Sequence, residues 1–104
     1  MNKILNYLGI ARRAGFLISG IDAVIASLEK KAKLVVIATD ASSATKDKLN
    51  RKCYFYKVNI LEHFTTEELS TAVGYNNPKV LAVTDEGIVK QILKISERGE
   101  NIWE

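Results

Sequence analysis

Leu34, Val35, Val36, Ile37 and Ala38 form the longest apolar run in the chain, and no polar residue interrupts them. A strand with one wet face alternates with period two, whereas an unbroken run of this length reads as a strand covered on both faces. Helices are therefore expected on both sides of a sheet, with this strand near its centre. The run is far too short for the about 20 residues that cross a bilayer. The N-terminal residues lack the pattern of a signal peptide, so a membrane location is not expected.

Apolar spacing elsewhere supplies the covering helices. Ile4, Leu8 and Ala11 recur at helical intervals over residues 2–13, with Gly15 as the stop. Phe16, Leu17 and Ile18 read as a short strand, and Ser19 and Gly20 open a second helix. Its inward stripe is Ile21, Val24, Ile25 and Leu28, and Glu29, Lys30 and Lys31 form its last turn. Asp40 ends the central strand, and Ser42 or Ser43 caps a third helix expected to run to about Lys52, with Lys48, Arg51 and Lys52 on one face. Tyr54 to Val58 is rich in aromatic and β-branched residues and reads as a third strand. Thr65 and Glu68 have the spacing of a capping box for a fourth helix that Gly74 stops. Tyr75 to Pro78 is a turn, Lys79 to Thr84 a fourth strand, and Asp85 caps a last helix with Ile88, Ile92 and Ile95 inward and Lys90, Lys94 and Arg98 outward. This alternation predicts an α/β fold, a three-layer α/β/α sandwich around a small, mixed, four-stranded sheet.

With 104 residues, 47% hydrophobic and 26% charged, the chain fits one packed domain rather than a disordered segment. Residues 1–98 read as that domain and residues 99–104 as a polar tail apart from Ile102 and Trp103. The net charge of +3 is unevenly placed, since residues 1–52 carry ten basic and four acidic side chains and residues 53–104 five and eight. A basic half suits an anionic partner, although the same charges also serve as solvated helix faces.

Residues for catalysis are sparse. His63 and Cys53 are the only histidine and cysteine, which excludes zinc spacing and leaves a Cys/His pair as the one nucleophilic option. Cys53 reads better as a small buried residue and His63 as a surface or capping residue. A lone cysteine also makes no internal disulfide, as expected of the cytoplasm. Asp40 and Asp85 follow strands, where carboxylates can hold magnesium, but helix capping accounts for both. No phosphate-binding glycine loop is present. No enzyme activity, cofactor or metal is expected.

Six stretches carry a resemblance: 8–15 (LGIARRAG), 18–20 (ISG), 31–42 (KAKLVVIATDAS), 52–58 (KCYFYKV), 68–74 (ELSTAVG) and 82–87 (AVTDEG). In this order and spacing, from about residue 3 to residue 95, the chain resembles the kink-turn RNA-binding superfamily of ribosomal proteins, most closely its small bacterial YlxQ-like branch. The resemblance implies an α/β/α sandwich that binds structured RNA, typically a sharply bent stem with tandem sheared G·A pairs. In that family the loop before the second helix and that helix's first turn enter the RNA groove with a G-x-N-E-x-x-K pattern. Ser19, Gly20, Ile21 and Asp22 fall there. Gly20 matches, whereas Asp22 replaces the asparagine, Ala23 the acidic or amide residue and Ala26 the lysine. An Asp lacks the amide donor and has the wrong sign for phosphate.

A second family contact, a loop covering an extruded nucleotide, maps to Tyr75, Asn76 and Asn77, with Ser70 where glycine is frequent. Tyr75 offers a stacking face and the asparagines base-edge bonds, or the segment is an ordinary turn with Tyr75 packed on the protein. Arg12 and Arg13, at the end of the first helix, are candidate phosphate contacts or partners of the helix dipole. The expected partner is structured RNA, ribosomal or otherwise, bound by a cytoplasmic monomer. The alternative keeps the fold as a protein-interaction module, with Ile102 and Trp103 as a docking element; an enzyme built on Asp40, Asp85 or Cys53 ranks third.

Overall fold

The two unbroken apolar strands lie side by side at the centre of the sheet. The computed structural model describes residues 2–97, and within them the chain runs α1 (Lys3–Ala14), β1 (Leu17–Ser19), α2 (Ile21–Ser27), β2 (Leu34–Ile37), α3 (Ser43–Tyr56), β3 (Asn59–Leu61), α4 (Thr66–Val73), β4 (Val80–Val83) and α5 (Glu86–Glu97). The sheet order is β1-β4-β2-β3. β4 is antiparallel to both neighbours, with Val35 opposite Ala82 and Ile18 opposite Ala82 on its other edge, while β2 and β3 are parallel. Every residue of β2 and β4 is buried, because helices cover both faces. One layer holds α1, α4 and α5, and the other holds α2 and α3. The mixed three-layer sandwich expected from the sequence is the one observed.

Local chemistry accounts for most boundaries. Asn2 caps α1 by accepting from the Ile4 and Leu5 N–H groups, and Gly15, at φ 82°, closes it. The Gly15 and Phe16 N–H groups return to the Arg12 and Ala11 carbonyls, a Schellman close that only a residue comfortable at positive φ permits. Ser42 caps α3 through the Thr45 N–H. The capping box of α4 is present in both directions between Thr65 and Glu68. Gly9 lies against α4, where a Cβ would stand 3.0 Å from the Ala72 carbonyl oxygen. This glycine lets the two helix backbones approach closely.

Four expected elements differ. Tyr54, Phe55 and Tyr56 are not a strand but the last turn of α3, so the helix runs past Lys52. Leu49 and Cys53, four residues apart and both buried, keep the helix on the sheet, and that packing overrides the aromatic β-preference. Lys57, at φ 58°, takes the left-handed closing position, and its N–H and that of Val58 bond the Tyr54 and Cys53 carbonyls. The strand follows at Asn59–Leu61. Phe16 likewise lies outside β1, because it is the residue that completes the Schellman close of α1. α2 ends at Ser27, before Glu29–Lys31, where the Lys31 and Ala32 N–H groups both turn back to the Ser27 carbonyl. Within it Val24 is buried, while Ile21 and Ile25 are half-buried. Finally, Asp40 caps no part of α3; its partner is on α4. Arg98 and the tail with Ile102 and Trp103 lie outside the described residues.

Candidate nucleic-acid interface

β1 and β2 point the same way and β4 points against them, so the C-terminal ends of β1 and β2 and the N-terminal end of β4 meet at one end of the sheet. Gly20, the turn from Thr39 to Ser42, and the loop from Tyr75 to Pro78 are thereby brought together. Two hydrogen bonds fasten them: the Gly20 N–H donates to the Val80 carbonyl, and the Ala38 N–H to the Lys79 carbonyl. Gly20 has φ 103° and ψ 144°, a conformation close to glycine-only territory. It opens α2 with no side-chain cap.

Helix α1 reaches the same loop through one side chain. The Arg12 guanidinium carbon lies 4.1 Å from the centre of the Tyr75 ring, a cation–π contact. Ser70 anchors the same loop, its hydroxyl donating to the Tyr75 carbonyl at 2.7 Å. Asn76 and Asn77 are exposed at the tip, and Asn77 takes a left-handed conformation at φ 49°, which asparagine tolerates better than most residues. Pro78 is buried beneath them.

Of the nine residues proposed from sequence, Gly20, Arg12, Tyr75, Asn76 and Asn77 converge here. Ser19 pairs with Leu81 inside the sheet, and Ile21 packs half-buried against the core; both shape the loop from beneath. Asp22 is exposed in the first turn of α2, where a carboxylate suits the helix dipole but repels phosphate. Arg13 is exposed, and its guanidinium turns back toward Gly9.

Sequence reasoning missed a polar cluster beside the loop. The Asp40 carboxylate accepts from the Thr66 N–H and hydroxyl at 2.9 and 2.8 Å, and Lys79 donates to the Thr66 hydroxyl and lies 3.8 Å from Asp40. These bonds hold the Asp40 carboxyl below its ordinary pKa, the Thr66 hydroxyl contributing most and the Thr66 N–H next. Thr66 opens α4, so Asp40 caps that helix across the fold. Nothing local in the sequence signals a partner 26 residues away. Ser70 had only the signal of replacing a frequent glycine.

The cations of α3 divide between the two ends of the sheet. Lys46 lies at the Gly20 end, where its ammonium bonds the Thr39 carbonyl and pairs with Glu62 at 3.1 Å. Since α3 runs antiparallel to β2 and β3, Arg51 and Lys52 lie toward the opposite end of the sheet. Catalytic constellations do not form among the described residues. Cys53 is buried on the inner side of α3 and its thiol is pushed up to about 11 by desolvation, whereas His63 is exposed beyond β3. Asp85 caps α5 through the Ile88 N–H, and among the described residues no group of three metal-ligating side chains occurs.

The chain belongs to the ribosomal protein L7Ae/L30e/S12e/Gadd45 family, whose pattern matches residues 2–93. Within it, the chain is 38% identical over 96 residues to an RNA-binding protein YlxQ of Enterococcus faecium, covering 91% of this chain and 92% of that one. It is 37% identical over 89 residues to the RNA-binding protein YlxQ of Bacillus subtilis (strain 168), covering 85% and 89%. A solved protein of unknown function from Bacillus halodurans C superposes with a TM-score of 0.89 at 28% identity, covering 93% of this chain and 99% of that one. The Giardia lamblia 15.5kD RNA binding protein shares the fold, with a TM-score of 0.76 at 19% identity over 91% and 82%.

Proposed function

We propose that this chain is a non-catalytic RNA-binding protein that takes structured RNA of the kink-turn class at the end of the sheet formed by Gly20, Arg12 and the Tyr75 loop. The observation that carries this reading is the Arg12–Tyr75 stack on the loop that leads into Val80, whose carbonyl accepts from Gly20: a cation for phosphate, a ring for an unpaired base and an open glycine backbone are tied to one loop. Membership of the family and the two YlxQ relatives, named as RNA-binding proteins, support it. Among the described residues no helix is long and apolar enough to cross a membrane. In this reading residues 1–98 act as one domain, as a cytoplasmic monomer, on ribosomal or other structured RNA.

Asp22, Ala23 and Ala26 set the specificity. Where the family pattern has an amide donor and a lysine, this helix has a carboxylate and two methyl groups, so the groove contact is weaker and the Tyr75 loop carries more of the recognition. A gel-shift titration compares a kink-turn RNA with a copy lacking the sheared G·A pairs. Preference for the kinked RNA is the expected result. Equal, weak, salt-sensitive binding to both defeats the specific claim, and absence of any RNA binding favours the protein-interaction alternative.

A further inference from the structure

Three aromatic side chains in a row end α3 in solvent. Tyr54 is 86% exposed, Phe55 75% and Tyr56 38%, and the Phe55 and Tyr56 rings meet edge to face with centres 4.9 Å apart. The fold makes no use of this surface, since Leu49 and Cys53 provide the buried side of the helix. Lys48, Arg51, Lys52 and Phe55 follow one another at helical intervals, so cations and a ring form one stripe. Lys57 stands just beyond the helix end. Among the described residues none of these four cations forms an ion pair, and Asp47, one turn before Arg51, does not reach it.

The charge around the stripe has the same sign. The turn from α2 into β2 brings Lys30, Lys31 and Lys33 to this end of the sheet, against Glu29; Asp85 and Glu86 follow β4 there but open α5 in the other layer. At the Gly20 end the balance differs, because Lys46 and Lys79 are engaged by Glu62 and Asp40. Unpaired cations alone fit any polyanion. Cations interleaved with exposed rings fit a polyanion that also has flat π faces, because each base can stack while its phosphate meets an arginine or lysine.

We propose that the C-terminal half of α3 is a second nucleic-acid site, which takes unpaired nucleotides of single-stranded RNA by stacking on Tyr54 and Phe55 with their phosphates held by Arg51, Lys52 and Lys57. It lies at the opposite end of the sheet from Gly20, so one protein molecule engages a bent stem at one pole and a strand at the other. The site does not depend on the kink-turn reading, and either stands if the other falls.

The test is fluorescence anisotropy with a labelled oligouridine of about 12 nucleotides at two salt concentrations. Wild-type protein is expected to bind, and Tyr54→Ala and Phe55→Ala each to weaken binding about tenfold. Arg51→Gln with Lys52→Gln is expected to reduce the slope of log affinity against log salt by about 1.4, since each single-strand phosphate contributes about 0.7. Lys90→Gln, on α5 in the other layer, should leave oligouridine binding unchanged. Ultraviolet cross-linking of the wild-type protein, read by mass spectrometry, should map to residues 54–56, a result that needs no variant to fold. The proposal is overturned by absence of binding, by unchanged affinity in both aromatic variants, or by cross-links at the Tyr75 loop. Equal competition by polyglutamate of the same charge, or a dimer in sedimentation that Phe55→Ala dissolves, assigns the face to an acidic protein or a second copy and also overturns it.

Discussion

Arg12, on the first helix, lays its guanidinium over the ring of Tyr75, in the loop after the fourth, at 4.1 Å from the ring centre. The contact joins the cation and the ring that the proposed site would offer to a phosphate and to a base. Exposed cation–π pairs stabilise by about 0.5–1 kcal/mol, so a double-mutant cycle of Arg12→Ala and Tyr75→Ala in urea should give a coupling of that size. Each variant should also weaken binding to a kink-turn RNA, Tyr75→Ala by about tenfold if one base stacks on the ring. Strictly additive losses in urea mean that the stack is not held in solution.

Gly20 tests backbone against space. A Cβ there would meet nothing within 4 Å, so a steric clash is absent and only the positive φ opposes substitution. Gly20→Ala should lower stability by about 1–3 kcal/mol in chemical denaturation, the range for a strained backbone position. A neutral result means the loop relaxes to an ordinary conformation, and the Gly20–Val80 hydrogen bond should then be lost to amide exchange.

Asp40 makes stability depend on acid. Its pKa is lowered from 3.8 by the Thr66 bonds, so its stabilising effect is fully present above that value and is lost as pH falls through the lower folded value. Asp40→Ala should therefore melt below the wild type at pH 7, and the two melting temperatures should converge at strongly acidic pH. A gap that stays constant down to acid unfolding rules out the carboxylate as its source.

Cys53 is expected to be inert in the native protein. Burial raises its thiol from 9.0 to about 11, so a thiol reagent at pH 8 should label it only after denaturation. The raised value also means that the neutral thiol's contribution is present below pH 9 and is lost as pH rises toward 11. Cys53→Ser places a hydroxyl in the same apolar site and should cost about 1–3 kcal/mol. Rapid labelling of the folded protein would show that the end of α3 opens readily.

What could be read in advance was the local chemistry. Thr65 and Glu68 announce their capping box because both partners lie within one turn, and Gly15 and Gly74 announce helix ends because only glycine closes a helix so readily at positive φ. Leu34–Ala38 announced a centre covered on both sides, and the sheet order follows that burial. Tyr54–Tyr56 misled because β-preference describes rings packed on a pleated surface, and these rings pack on none. The site was read in pieces: Gly20, Arg12 and Tyr75 each stood out, but only the antiparallel pairing of β1 and β4 brings Gly20 to the Tyr75 loop. The Asp40–Thr66–Lys79 cluster had no local signal at all.

Gly9 gives the Arg12–Tyr75 pair its spacing. It sits one helical turn before Arg12, opposite Ala72, which sits three residues before Tyr75. The pair of helix backbones therefore works as a gauge block, and its thickness at Gly9 is expected to bear on how the guanidinium sits over the ring. A methyl group at Gly9 would stand 3.0 Å from the Ala72 carbonyl oxygen, so the helices would have to part by a few tenths of an ångström, and the cation over the ring is expected to shift with them. In the proposed reading, the affinity of this pole is thereby open to tuning from within the protein's interior, by a residue placed in no ligand contact.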